Sequence, residues 1–337
     1  MKKILIIKPS GIGDIIHSLP AAYGLKNLYP EAKIYWLVFG KFEKVLHNTP
    51  VVDKLILWNR QGGFKEYKRV IKEIRAEQFD LVIDLQALMR TAIITRLSKG
   101  KTRLAVSLVR ELAWLFEKPI GKFDPAMHAV DRNYEIVKYL AQTSSVPADF
   151  LPWIKLTSQE TSQAQQLMAA AKIAGDKIPV LFVVTTRGLH KMWPLEHFSE
   201  LINRCNAEYN IIPVFLAMKE EGDIVRRITN RLKCAFIDLT GKTDLRTACA
   251  VTSLCKLVVG NDTALIHVAS ALNIPVIGLY GATDPAQVGP YGKQNTVILN
   301  KLPCWPCGIK STCKDNKCMK EISPQKVFEA CGKYLKK

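Results

Sequence analysis

No stretch of this 337-residue chain approaches the roughly 18 consecutive apolar residues that a membrane-spanning helix needs. The apolar run Ile4–Ile7 is also too short for a secretory signal, and Lys8-Pro9 closes it. Cysteine is missing before Cys205, the first of nine. These absences point to a cytoplasmic protein, where reducing conditions argue against disulfides. Acidic residues are scarce, 30 Asp+Glu against 48 Lys+Arg, which leaves a net charge of +18. The excess concentrates in residues 54–122, with fifteen basic and seven acidic side chains, and in 301–337, with nine and three. Such an imbalance favours an anionic partner: nucleic acid, an anionic membrane surface or a phosphorylated substrate. The basic segments lack interleaved aromatics and no RNA-binding motif is present, so nucleic acid is not the expected partner.

What is present is a repeated alternation of buried-strand runs and amphipathic helices. Residues 2–8, KKILIIK, read as a strand, followed by the turn Pro9-Ser10-Gly11-Ile12-Gly13-Asp14 and a helix through about Leu28. Gly11-x-Gly13 begins a dinucleotide fingerprint, but position 16 is Ile where the third glycine would stand, which weakens a nicotinamide-dependent oxidoreductase. Further strands are expected at 33–39, 54–58, 80–85 and 104–106. Helices are expected at 41–47, 64–77, 87–98 and 126–141. The polar, proline-bearing stretch 144–152 marks a linker. The alternation then restarts, with helices at 160–174, 195–205 and 220–232 and strands at 180–186, 211–218 and 235–239. This pattern predicts an α/β protein with parallel, doubly wound sheets in two domains, 1–150 and 151–320. A C-terminal helix, 321–337, is expected to pack back on the first domain.

The most informative stretch runs from Gly260 to Gly292, GNDTALIHVASALNIPVIGLYGATDPAQVGPYG. It reads as strand, cap, helix, strand. Asn261, Asp262 and Thr263 are all good helix N-caps, and the turn falls at the carboxyl end of a strand, where open α/β sheets bind ligands. Free amides and the helix dipole there suit a phosphate. The bland alternative is a well-capped core helix.

These residues resemble the D-T-G-x-x-H … G-x-T-D-P … G-P-Y-G signature of glycosyltransferase family 9, the ADP-heptose lipopolysaccharide heptosyltransferases. The matching positions are Asp262, Thr263, His267, Gly281, Thr283, Asp284, Pro285 and Gly289–Gly292, with Ala264 where the family usually has Gly. Lys8, Ser10, Gly13 and Asp14 match the family's K-x-S/T-x-x-G-D segment, and residues 185–194, TTRGLHKMWP, resemble its T-T-R-x-x-K-x-W-P segment with one residue inserted. LVIDLQALMRTA resembles a D-x-Q-G-L-x-K/R-S/T-A segment of the heptosyltransferase I branch, with Ala87 replacing Gly.

The resemblance implies a GT-B architecture, two Rossmann-like domains facing across a cleft, and a metal-independent, inverting sugar transfer. It assigns Asp14 as the catalytic base, although Asp14 read alone could simply cap its helix. It places Lys191 against the leaving diphosphate, with Thr185 or Thr186 and the helix start at Asp262–Ala264. His267 would touch the diphosphate or order the loop. Glu220, with Glu221 as competitor, would hold the adenosine ribose, and Thr243 would contact the donor. Ser10, Gly13, Arg60, Arg110 and Arg132 would face the acceptor, because guanidinium forks suit carboxylates and phosphates. The donor would be ADP-heptose and the acceptor Kdo-lipid A, with no cofactor. The basic segments would dock peripherally on the anionic cytoplasmic face of the inner membrane. Cys304, Cys307, Cys313 and Cys318 have a metal-like spacing without the paired knuckles of a zinc ribbon. A structural or incidental role is expected of them, with structural zinc as the alternative.

Overall fold

A computed structural model of the chain describes every residue except 109, 118, 122–123, 144–150, 172–175, 308–312, 314 and 337. The expected linker at 144–152 therefore falls largely outside the described residues, as does the end of the helix expected at 160–174. The described residues form two compact units, Met1–Lys155 and Leu156–Lys337.

The first unit runs β1 (Lys3–Ile7), α1 (Ile12–Ile16), α2 (Leu19–Leu28), β2 (Lys33–Phe39), β3 (Lys54–Trp58), α3 (Gly63–Glu77), β4 (Leu81–Asp84), α4 (Met89–Leu97), β5 (Thr102–Ala105) and α5 (Ala129–Ala141). All strands are parallel, in the order β3-β2-β1-β4-β5. The central strands are continuous apolar runs, since helices cover both faces of such a sheet and leave no polar side to alternate with. Ile4–Ile7 and Leu81–Ile83 are fully buried. The single helix expected to follow Asp14 is in fact two. Pro20, in the first turn of α2, has no N–H to continue the α1 ladder, and the Ser18 hydroxyl caps the break by donating to the Asp14 carbonyl at 2.8 Å. The expected helix at 41–47 is a 3-10 turn, Gly40–Val45. The helix expected from residue 126 begins at Ala129, because His128 takes the N-cap and its Nδ1 accepts from the Val130 amide.

The second unit runs α6 (Ser158–Ala169), β6 (Ile178–Val183), α7 (Leu195–Tyr209), β7 (Ile211–Phe215), α8 (Gly222–Thr229), β8 (Ile237–Asp238), α9 (Leu245–Ser253), β9 (Leu257–Asn261), α10 (Ala264–Ala271), β10 (Val276–Tyr280), α11 (Pro285–Val288), β11 (Thr296–Leu299), α12 (Lys317–Lys320) and α13 (Pro324–Leu335). Its sheet is again all parallel, in the order β11-β10-β9-β6-β7-β8. Numbered from its own first strand this is 3-2-1-4-5-6, the Rossmann order. β11 was not expected from sequence. Its sequence, TVIL, is apolar but only four residues long, and among them only Ile298 is buried.

The C-terminal helix α13 lays Val327, Ala330, Cys331 and Leu335 into the core of the second unit, beside Leu201, Ile202 and Cys205 of α7. Phe328 stacks on Tyr209 with ring centroids 5.4 Å apart. The apolar stripe of α13 is thus occupied within the second unit. No helix among the described residues is long and apolar enough to cross a membrane.

Candidate active site

In each sheet the strand order reverses once, and the crevice at the carboxyl ends of the two strands flanking that point is where open α/β sheets take ligands. In the second unit those strands are β6 and β9. Gly260 makes their close approach possible, since a Cβ there would lie 2.4 Å from the Val183 carbonyl oxygen. The next residue, Asn261, is fully buried and is not the helix cap its type suggests. Its Nδ2 donates to the Val184 carbonyl and its Oδ1 accepts from the Trp193 amide, both at 2.9 Å. One side chain thus ties the end of β6, the segment before α7 and the end of β9 together.

Asp262 follows at the centre of the crevice. Its Oδ2 accepts from Lys191 Nζ at 2.6 Å and from the Thr283 hydroxyl at 2.8 Å. Its Oδ1 stands 3.9 Å from His267 Nε2, and its carbonyl accepts from Thr186 Oγ1 at 3.3 Å. The buried Tyr280 hydroxyl also faces this carboxylate. Burial first, then the Asp262 charge, pushes that phenol well above its usual range. Thr263 takes the N-cap position of α10 without a side-chain capping bond, and the amides of Ala264 and Leu265 have no acceptor among the described residues. Ala264 has ordinary helical geometry, so the family's usual glycine is not required by the backbone here. Lys191 keeps protons beyond the one given to Asp262. Ammonium protons, hydroxyls and open helix amides in one place make an anion cradle.

Glu220, in the short 3-10 turn Lys219–Glu221, and Thr243, on a loop, lie at the same edge, after β7 and β8. The Glu221 carboxylate accepts from the Met218 amide at 2.9 Å and so closes its own turn, while Glu220 is exposed and uncommitted. Thr243 directly precedes Asp244, the N-cap of α9, and its loop is anchored by the Gly241 amide on the Ala217 carbonyl at 2.9 Å. Thr185 is buried beside the crevice.

In the first unit the reversal lies between β1 and β4. Lys8 is buried there and donates to the Leu85 carbonyl at 2.7 Å; burial lowers its pKa. Gly11 adopts φ 82°, and a Cβ at that position would meet the Asp14 carboxylate at 2.5 Å. The Asp14 carboxylate is exposed, accepts no hydrogen bond among the described residues, and lies in the fields of Lys8 and Arg132. Ser10 donates to the buried Gln86 Oε1 at 3.3 Å. Gly13, inside α1, accepts from the His17 amide. Arg132 is half-buried, and burial, then the Arg110 charge, lowers its pKa. Arg110 and Arg60 are exposed, and both act on a further guanidinium, Arg90. The assembly is a set of converging cations around one uncommitted carboxylate.

Two acids sit behind this set. Asp84, the last residue of β4, is fully buried and its Oδ1 accepts the amides of Gln86 and Ala87. Glu117 lies against it. Asp84 Oδ2 and both Glu117 oxygens are buried and have no other partner among the described residues. Burial raises Asp84 to about 6, and burial followed by the Asp84 charge raises Glu117 to about 9. At neutral pH the pair therefore retains one proton.

A model of glycosyltransferase family 9 (heptosyltransferase) matches residues 67–318. The chain belongs to glycosyltransferase family 9. Lipopolysaccharide heptosyltransferase 1 of Escherichia coli (strain K12) is 30% identical to the transferase over 308 residues, 88% of this chain and 92% of that protein. Lipooligosaccharide heptosyltransferase 2 of Campylobacter jejuni is 26% identical over 344 residues, 99% and 98% of the two chains. The solved structure of E. coli heptosyltransferase WaaC with ADP is similar to it at a TM-score of 0.77 and 26% identity, covering 98% of this chain and 99% of that one. The two parallel α/β sheets are those of the GT-B glycosyltransferases, as the sequence motifs implied.

The transferase carries features that its sequence did not single out. Arg90 lies inside a recognised motif, but nothing in its spacing separates it from a surface arginine. Here its Nε is buried and has no hydrogen-bond partner among the described residues, and its guanidinium carbon stands 5.9 Å from the Phe39 ring centroid. Asp84 and Glu117 are 33 residues apart in sequence, so no local pattern links them. The four clustered cysteines line a cavity of about 160 Å³ together with His190. Among the described residues no three His, Cys, Asp or Glu side chains are grouped so as to hold a metal ion. The cysteine segment also braces the anion cradle. Asn316 Nδ2 donates to the carbonyls of Leu189 and Met192 at 3.2 and 3.0 Å, and Trp305 Nε1 donates to that of Thr283 at 3.3 Å.

Proposed function

We propose that this transferase moves L-glycero-D-manno-heptose from ADP-heptose to the Kdo residue of the lipopolysaccharide inner core, as a heptosyltransferase I. The observation that carries the reading is the anion cradle around Asp262 at the reversal between β6 and β9. A relative 26% identical is named as a heptosyltransferase with ADP, and one 30% identical as lipopolysaccharide heptosyltransferase 1.

In this reading the acceptor hydroxyl oxygen attacks the anomeric carbon of the heptose with inversion. The bond from that carbon to the diphosphate oxygen breaks, and its electron pair leaves with ADP. Asp14 takes the hydroxyl proton. Lys191, Thr186, Thr263 and the open amides of α10 stabilise the charge that grows on the leaving diphosphate, so the step is metal-independent. Glu220 and Thr243 hold the nucleoside end. Arg60, Arg90, Arg110 and Arg132, with Ser10 and Gly13 nearby, receive the anionic acceptor. The enzyme works at the cytoplasmic face of the inner membrane, held there peripherally by its basic segments.

A second reading, heptosyltransferase II, is favoured by the Campylobacter relative, which spans nearly the whole chain. One assay separates the two: ADP release from ADP-heptose, with Kdo-lipid A or with heptosyl-Kdo-lipid A as acceptor. Release stimulated by Kdo-lipid A is expected. Stimulation only by the heptosylated acceptor would shift the assignment to the second reading, and stimulation by neither would end both.

A further inference from the structure

Helices α3 and α4 lie side by side in the first unit and are pinned at two points. Tyr67 Oη donates to the Arg90 carbonyl and Arg75 Nε donates to the Leu97 carbonyl, each at 2.6 Å. On α3 the pins are eight residues apart, about 12 Å along the axis. Between and around them opens a groove of about 940 Å³. Its apolar wall comes from Phe64, Tyr67, Ile71, Met89, Ile93 and Leu97. Phe64 is 72% exposed and Leu97 37%, so the wall is open to its surroundings.

The groove also has a charge of one sign. Lys68, Lys72, Arg75 and Arg90 line it against a single acid, Glu111, whose carboxylate already caps the Met89 amide at 3.0 Å. α3 is acidic elsewhere, but Glu66 and Glu73 are engaged by Arg69, and Glu77 by Lys3 and Lys54. Neither Lys68 nor Lys72 has an ion pair among the described residues. Soluble proteins rarely leave a large apolar surface uncovered, and an open one marks a binding site. An apolar trough with unpaired cations fits a molecule with a hydrocarbon body and an anionic head.

We propose that this groove holds an acyl chain of the acceptor glycolipid, with its headgroup toward Arg90 and the acceptor cations. This rests on the proposed function, which makes the acceptor an anionic lipid. Arg90 belongs to both surfaces, since it lines the groove and lies in the fields of Arg60 and Arg110. The groove is therefore continuous with the acceptor site and supplies affinity through the part of the acceptor that does not react.

The test has a binding arm and a kinetic arm, both on the full chain. A dansyl-labelled fatty acid should bind saturably, one per chain, and Ile93→Asp and Leu97→Asp should each weaken it by at least about tenfold, since a charge in the wall displaces several methylenes at roughly fourfold each. In ADP release, wild type should show a lower KM for acylated Kdo-lipid A than for the same headgroup with its chains removed. Both variants should lose that preference while keeping wild-type kcat/KM on the deacylated acceptor, which also shows that they are folded. Unsaturable probe binding, probe binding equal in the variants, or an acyl preference that survives them would overturn the groove. Variants that lose the probe yet keep wild-type adhesion to anionic vesicles and wild-type KM for the acylated acceptor would point to the membrane surface instead, and overturn it also. No acceptor-dependent ADP release, with probe binding intact and sensitive to the variants, would sink the proposed function and leave the acyl site standing.

Discussion

Replacing Glu117 by Gln should make the first unit more stable, and increasingly so as pH rises. Glu117 is about 9% exposed, faces Asp84, and is raised to about 9 while Asp84 is raised to about 6. Between about pH 6.5 and 8.5 the folded pair holds one proton that the unfolded chain, with ordinary carboxyls, has released. A state that binds more protons loses stability as pH rises, and one proton corresponds to about 1.4 kcal/mol per pH unit. The sign is therefore negative for wild type through this window. Glutamine has no proton to lose, and its amide can donate to the otherwise unpartnered Asp84 Oδ2. The gap opens once pH passes the ordinary carboxyl range, is already present at pH 6.5, and should widen by roughly a further 3 kcal/mol in favour of the variant by pH 8.5. For a unit of this size that is a relative Tm gain on the order of 5–10 °C. Thermal melts of both proteins at three pH values across the window read the difference directly. A gap that stays flat with pH would show that the pair does not share a proton.

Asp14→Asn should lower kcat by at least about 10²-fold, the usual contribution of a general base, with the Kd for ADP unchanged; lost ADP binding would make Asp14 structural. Lys191→Met should weaken ADP binding by about 10- to 100-fold, since hydrogen bonds to charged groups contribute about 1.5–3 kcal/mol; calorimetric titration with ADP checks this, and unaltered affinity would remove Lys191 from the cradle. Gly260→Ala should destabilise the second unit by about 1–3 kcal/mol or more, because the added methyl meets the Val183 carbonyl oxygen and a backbone must move; a melt showing no loss would refute the close approach.

The sheets were legible because buried parallel strands write themselves as unbroken apolar runs, as in KILII and LVVGN. Boundaries were less so. A helix expected to run on from Asp14 was cut by Pro20, and β11, apolar but only four residues long, was too short to stand out. Asn261 shows the limit at the site. Its type and place say N-cap, but a polar side chain that follows a buried strand can serve the interior instead, and only the position of Val184 and Trp193 in space decides it. Ala87 shows the reverse case. Glycine is usual at that point of the family motif, and the residue indeed has φ 50°, a left-handed geometry that glycine takes freely and alanine does not. The Asp84–Glu117 pair was invisible because pairing between distant segments leaves no local periodicity.

The two reversals share a dimension that bears on how the enzyme comes into being. Lys8 reaches Leu85 across 77 residues, and Asn261 reaches Val184 across the same 77. Each ligand-binding crevice thus closes only when strands far apart in the chain have met, the kind of contact that is slow to form because chain entropy is lost before the contact returns anything. A partly folded molecule can own every helix and still have no crevice. During refolding, ADP binding should return after the helical signal, and catalysis no earlier, so the newborn chain spends its most exposed interval with neither substrate able to hold it together.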